Sequence, residues 1–324
     1  MKEIRAFLAP DLAAVETLIT AALGSDIALL DQTNRSLREH PGKMLRPMLA
    51  LLVAGALGRP NESTRRYAAA TELLHNATLL HDDVVDGAAE RRGVPTVARL
   101  LSPASAVLIG DFWLVKCLQL VLGAQVEPHR VLQIFSQTLG HLTEGELLQM
   151  QLAATGATTE ADYLRILYGK TASLFEAAAS SAALSVQAPE ESVQAVGQFA
   201  RLLGYAFQVK DDLLDYSATP DVLGKPVGID LLEQKITLPL LCALEQVSPA
   251  EARAVRERVT RIADCPEEAQ AVRAFVLEHD GPARAAVRME GLVQDAVACL
   301  ESLPQTQEKA FLTRLAAFVA RREQ

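Results

Sequence analysis

Aromatic residues make up only 5% of this 324-residue chain, with a single tryptophan, and strand-like alternation of polar and apolar residues is nearly absent. Such a sequence has little with which to build pleated surfaces, which favour aromatic and β-branched residues. Ala and Leu dominate instead, and both lose little side-chain freedom in a helix. The expectation is an all-α protein. Half the residues are hydrophobic, enough for a sizeable core. No linker or low-complexity segment divides the chain, so residues 1–324 are read as one domain.

Other absences exclude whole classes of function. Cys117, Cys242, Cys265 and Cys299 show no Cys-x-x-Cys spacing, so neither a zinc site nor a disulfide framework is indicated and a reducing, cytoplasmic setting fits. The net charge is −9 and no basic run is visible, which argues against nucleic acid as a partner. The N-terminal stretch interleaves charged and apolar residues and lacks a signal-peptide core. Uncharged runs such as Pro47 to Gly58 fall short of the roughly 20 residues that span a bilayer, so no stable membrane insertion is predicted.

What is present is helical punctuation. Asn61, Ser102-Pro103, Glu127-Pro128, Thr158/Thr159 and Pro189-Glu190-Glu191 suit helix N-termini. They predict helices near 61–86, 103–122, 128–154, 159–186 and 190–217. Residues 217–230, SATPDVLGKPVGID, hold two Pro and two Gly and read as a loop. Helix resumes over 230–247, with later breaks near Ser248-Pro249, Cys265-Pro266, Gly281-Pro282 and Pro304.

Two of the predicted helices carry the same acidic pattern, Asp82/Asp83/Asp86 and Asp211/Asp212/Asp215. Positions i and i+4 share a helix face, so each cluster sets like charges together at a cost of some tenths of a kcal/mol per pair. A lone Asp-x-x-x-Asp is usually a solvated face. Here apolar flanks, Leu79, Leu80, Val84 and Val85 at one and Phe207, Val209, Leu213 and Leu214 at the other, argue for burial and for a positive partner. All-oxygen ligands suit Mg²⁺, which binds through a few carboxylates plus substrate phosphates. Two clusters facing one cleft would clamp a diphosphate. A di-iron bundle is the nearest metal alternative, but its pairs of Glu-x-x-His elements are missing.

Cationic patches accompany the clusters: Gly42-Lys43-x-x-Arg46-Pro47, Arg91-Arg92-Gly93 and Lys170-Thr171. Each alone is weak. In their order along the chain, PGKMLRP (41–47), ELLHNATLLHDDVVDGAAERRG (72–93), GDFWL (110–114), EGELLQ (144–149), GKTASLF (169–175), FQVKDDLLDY (207–216) and GKPVGIDLLEQKITLP (224–239) resemble the trans-isoprenyl diphosphate synthase family.

That resemblance implies a bundle of long helices around a central cavity. It further implies that Asp82, Asp83 and Asp86 with Asp211, Asp212 and Asp215 hold about three Mg²⁺, which bind an allylic prenyl diphosphate. Arg91, Lys170, Thr171, Gln208 and Lys225 would contact that substrate; Lys43, Arg46, His75 and Arg92 are assigned to isopentenyl diphosphate, and Lys235 joins the substrate-binding set. Asp82, Asp86, Lys170, Gln208, Asp211 and Lys225 form the catalytic set. The implied reaction removes pyrophosphate, lets the isopentenyl double bond attack the allylic cation, and then loses a proton. Members of the family usually dimerise, so a homodimer is expected. The chain departs from the family at Gln234, where Gly is usual, and at Gly87, where an acid is common.

Product length should depend on the residues one turn before Asp82. Ala77 and Thr78 are small where short-chain members place an aromatic floor, so a long all-trans product of C25 or longer is predicted. Phe135, Leu139 and Trp113 are candidates for a deeper floor. The alternatives are a farnesyl or geranylgeranyl diphosphate synthase, a class I terpene cyclase, or a non-catalytic subunit. A cyclase normally pairs its Asp cluster with an Asn/Ser/Glu motif, and a non-catalytic subunit tends to lose metal aspartates.

Overall fold

A computed structural model describes residues 1–39, 42–91, 93–217 and 228–322. Among these, helices prevail, as expected. The one sheet is the antiparallel pair Glu90–Arg91 and Val94–Pro95, with Arg91 opposite Val94. These strands leave no mark in the sequence, because two residues are too few for a period to register.

Three of the predicted starts are built by the caps that marked them. Asn61 and Thr64 exchange side-chain and backbone hydrogen bonds, each at 3.1 Å, at the head of Glu62–Val85. Thr159 and Asp162 do the same ahead of Glu160–Leu167, and Ser102 accepts from Ser105 N ahead of Pro103–Leu122. The expected helix 159–186 is interrupted by a π-helical turn at Tyr168–Ala172 before Ser173–Ser185.

The expected helix 230–247 is two short ones, Ile229–Leu232 and Leu238–Leu244. Between them Gln234 takes φ 57°; its N–H bonds Leu231 O at 2.9 Å, and Lys235 N–H bonds Asp230 O at 2.8 Å. This pairing terminates a helix, and Pro239 then opens the next. The expected 217–230 loop falls largely outside the described residues.

The chain divides into two compact units, Met1–Ser136 with Ala177–Gly197 and Ser302–Leu312, and Gln137–Glu176 with Gln198–Glu301 and Thr313–Gln324. In the first, Leu45–Leu57 is a core helix: every residue from Met48 to Ala54 is at most 1% exposed. Glu62–Val85 packs antiparallel to Pro103–Leu122. Ser63 Oγ accepts the backbone N–H of Gln125 and Val126 at one end, and the His81 ring meets Val107 O at 3.2 Å at the other.

Pro103–Leu122 is the one helix among the described residues long and apolar enough to cross a membrane, by length and composition. A search for uncharged runs passes over it because Asp111 and Lys116 interrupt it. Its packed face is Ala106, Ile109, Gly110, Trp113, Cys117, Leu120 and Val121, and 39% of its apolar window is buried. Leu108, Val115 and Leu122, at seven-residue spacing, lie on the other side at 68%, 50% and 52% exposure.

Candidate active site

The first aspartate cluster closes the Glu62–Val85 helix, with Asp86 as its C-cap residue. Asp83 is buried at 5% exposure, Asp82 is part-buried and Asp86 exposed. Gly87, at φ 60°, turns the chain back so that Arg91 Nε donates to Asp83 Oδ1 at 2.8 Å. The buried aspartate thus has a guanidinium partner, while the two at i and i+4 share the more open face. Val85 is 55% exposed, so the apolar flank is less buried than its sequence suggests.

Other expected site residues in this unit are spread along neighbouring elements. His75 lies two turns before Asp82, and Thr78 Oγ1 donates to its carbonyl at 2.9 Å. Arg46 is part-buried at the start of Leu45–Leu57; burial lowers its pKa to about 10, opposed by the Glu72 carboxylate. Lys43 is exposed, and its carbonyl accepts from Arg5 at 3.2 Å. Arg92 lies outside the described residues.

Of the residues expected to set chain length, Ala77 has no exposed surface and Thr78 is part-exposed. Trp113 is 3% exposed and donates through Nε1 to Asn34 Oδ1 at 2.8 Å; Asn34 in turn donates to Leu23 O at 2.6 Å. Phe135 is 1% exposed. Leu139, in the second unit, is part-buried.

The second unit carries the other cluster on Glu190–Ser217, and its three aspartates have three different environments. Asp212 is 4% exposed; it accepts from Tyr163 OH on Oδ2 at 2.6 Å and from Gln208 Nε2 on Oδ1 at 3.2 Å. Burial raises its pKa to about 6, against these two hydrogen bonds, which lower it. Asp211 is paired with Arg322 at 2.7 Å. Asp215 accepts from Gly228 N at 3.2 Å and Ile229 N at 3.1 Å on Oδ1, and from Asp230 N at 3.1 Å on Oδ2.

Backbone contact between glycines sets the expected polar residues beside this cluster. A Cβ on Gly169 would lie 2.7 Å from both Gly145 Cα and His141 O, and one on Gly204 would lie 2.6 Å from Ala172 Cα. Only glycine lets these helices approach so closely. The π-helical turn occurs at this contact and displays Lys170 and Thr171. Lys170 Nζ pairs with Glu146 Oε2 at 2.6 Å, and Thr171 Oγ1 donates to Gln208 Oε1 at 2.9 Å. A hydrogen-bonded line therefore runs Thr171, Gln208, Asp212, Tyr163.

A cavity of about 90 Å³ opens here, lined by Tyr163, Lys170, Gln208, Asp212, Asp230 and Lys235 among others. Lys235 is ion-paired with Glu233. Lys225 falls outside the described residues.

Sequence reasoning missed Asp230, Tyr163 and Arg322. Asp230 sits in the matched stretch GKPVGIDLLEQKITLP, and burial, then Asp212 and Asp215, push its carboxyl well above the usual range. That motif position was its only signal; Tyr163 and Arg322 had none.

No group of three or more His, Cys, Asp or Glu converges as a ready-made metal cage among the described residues. The donor chemistry nonetheless fits a hard divalent cation. Carboxylates on one helix face, part-exposed at Asp82 and Asp211, suit an ion that keeps waters and completes its shell with substrate phosphates.

The polyprenyl synthetase family model matches residues 27–276. The octaprenyl diphosphate synthase of Haemophilus influenzae is 38% identical over 97% of this chain and 94% of its own. Among solved structures, a decaprenyl diphosphate synthase from Rhodobacter capsulatus superposes with a TM-score of 0.89 at 35% identity, covering 100% of this chain and 99% of that one. A polyprenyl synthase from Caulobacter crescentus, complexed with calcium and isoprenyl diphosphate, gives 0.90 at 32% identity, covering 100% and 98%.

Proposed function

This chain belongs to the polyprenyl synthetase family and is a prenyltransferase acting on isoprenyl diphosphates, and from that premise we propose that it condenses isopentenyl diphosphate with an allylic prenyl diphosphate into an all-trans product of C25 or longer. The observation that carries the long-chain reading is the pair of small residues, Ala77 and Thr78, on the helix that ends in the first cluster. Relatives named octaprenyl and decaprenyl diphosphate synthases support it.

Asp82, Asp83 and Asp86 and Asp211, Asp212 and Asp215 are the proposed seats of about three Mg²⁺. Bound there, the ions supply Lewis-acid charge to the departing pyrophosphate. Lys170, paired with Glu146, and Thr171 and Gln208, bonded to each other and through Gln208 to Asp212, orient the allylic diphosphate and place polar atoms where positive charge develops. Lys225 and Lys235 add cationic charge beside that diphosphate, and Arg91 is held for it by Asp83. Lys43, Arg46, His75 and Arg92 are the seat proposed for isopentenyl diphosphate. No Ser-His or Cys-His pair is invoked, since the proton leaves to the released pyrophosphate.

Residues 1–324 are taken as one isoprenoid synthase domain, since most limits of the two units fall within helices such as Pro128–Thr155 rather than in a Pro/Gly-rich linker. The exposed Leu108, Val115 and Leu122 are the proposed contact of a homodimer, because an unpartnered apolar helix face of this kind marks an association site. The setting proposed is the cytoplasm.

The test incubates purified protein with Mg²⁺, isopentenyl diphosphate and geranyl, farnesyl or geranylgeranyl diphosphate, and sizes the products. Polyprenyl chains of C25 and beyond are expected. Products stopping at farnesyl or geranylgeranyl length would overturn the long-chain reading, cyclic hydrocarbons would indicate a terpene cyclase, and absent pyrophosphate release would indicate a non-catalytic subunit.

A further inference from the structure

Arg322 follows the Gln307–Arg321 helix, yet its guanidinium reaches the second aspartate cluster. Its side chain is 6% exposed, while that of its partner Asp211 is 41% exposed. Nη2 donates to Asp211 Oδ1 at 2.7 Å and to Phe207 O at 2.7 Å, and Cζ lies 3.7 Å from the centroid of the Phe207 ring. One guanidinium is therefore held by a backbone carbonyl, an aromatic face and a carboxylate, all on Glu190–Ser217.

The asymmetry in exposure decides which partner orders the other. Arg322 is fixed by two contacts that do not involve Asp211, whereas Asp211 stands on an open helix face, where an exposed carboxylate samples several rotamers. We propose that Arg322 is a positioning residue for the metal site: it commits Asp211 Oδ1 and so presents Oδ2 to the divalent cation. The inference rests on Asp211 being a metal ligand, and goes beyond that reading by naming what holds the ligand.

The opposite assignment, in which the guanidinium competes with the ion and is expelled by it, conflicts with the burial. Breaking the pair would leave a buried guanidinium without its carboxylate, which is strongly destabilising. Sharing the carboxylate, one oxygen to each cation, avoids that cost. Arg rather than Lys suits the place, since a planar guanidinium can lie on the ring and still reach two acceptors in its plane.

The experiment titrates the full-length protein with Mn²⁺ and follows free Mn²⁺ by EPR, in the native protein, Arg322→Gln, Arg322→Lys, Asp211→Asn and the double variant Asp211→Asn/Arg322→Gln. Arg322→Gln is expected to weaken Mn²⁺ binding about tenfold, the usual scale for removing the partner that orients a ligand, with Arg322→Lys restoring part of it. In the Asp211→Asn background the Arg322 substitution should add nothing. A purely structural role would lower the melting temperature in both backgrounds and leave Mn²⁺ affinity alone. Native or tighter Mn²⁺ affinity in helical Arg322→Gln, with Asp211→Asn weakened, overturns the assignment of Arg322 by itself. Native affinity in Asp211→Asn overturns the metal-ligand reading on which it rests.

Discussion

Asp215 accepts the backbone N–H of Asp230 at 3.1 Å, so the third aspartate of the second cluster holds in place the turn that carries another acid. Its other oxygen takes Gly228 and Ile229 N–H. A carboxylate bonded to three successive N–H groups at the start of Ile229–Leu232 acts as a helix cap as well as a member of the cluster.

Asp215→Ala should therefore cost stability as well as activity. Loss of the shared acceptor leaves three donors without their partner, an expected destabilisation of about 2 kcal/mol. Urea unfolding at constant m-value measures it, and an unchanged midpoint would mean that other contacts hold the turn.

Asp212 makes stability depend on pH in an unusual direction for a carboxylate. Its pKa is raised from 3.8 to about 6 by burial, so across that interval the folded protein keeps a proton that the unfolded chain has released. Stability of the metal-free protein should fall as pH rises from about 4 to about 6 and level off above, with Asp212→Asn flattening that slope. Divalent binding needs the ionised carboxylate, so Mn²⁺ affinity should weaken by up to about tenfold per pH unit below about 6. Thermal melts and Mn²⁺ titrations across pH 4–8 check both.

Gly169→Ala sets a Cβ 2.7 Å from Gly145 Cα, a clash with backbone that no rotamer relieves. The two helices must separate, with an expected loss of about 3 kcal/mol and a Lys170–Glu146 pair pulled apart. A fall in both melting temperature and kcat is the expected result; a melting temperature within a degree of native would contradict it.

Ala77 and Thr78 separate two effects of an added ring. Ala77→Phe should shorten the product and also cost about 1–3 kcal/mol, because the position has no free surface. Thr78→Phe, on a part-exposed position, should shorten the product with a smaller loss of stability. Thin-layer sizing of products beside thermal melts distinguishes them, and native chain length in both variants would remove these residues from length control.

Gln234 shows how local rules read alone can mislead. It occupies a left-handed position, φ 57°, where the family resemblance expects glycine, and its Nε2 donates to Thr260 O at 2.7 Å. The strain of a side chain there, about 1 kcal/mol, is offset by that tertiary hydrogen bond. A helix drawn through 230–247 overlooks this turn, because Gln234 carries no breaker signal. The helices before residue 61 likewise lack strong capping signals: no side-chain cap hydrogen bond marks Lys2–Phe7, Ala9–Ala22 or Leu45–Leu57.

The sequence by itself determined the helical class, the capped starts at Asn61, Ser102 and Thr159, and the two acidic clusters, because caps and i,i+4 spacing act within one or two turns of chain. It also carried the family, through motifs spread over most of the chain. The tertiary structure decided how the six aspartates differ. Asp83 paired with Arg91, Asp212 held by Tyr163, Asp211 by Arg322, and Asp215 spent on a turn are identical residues in sequence. Their chemistry separates through burial and through partners as far away as Arg322, and no local period encodes either.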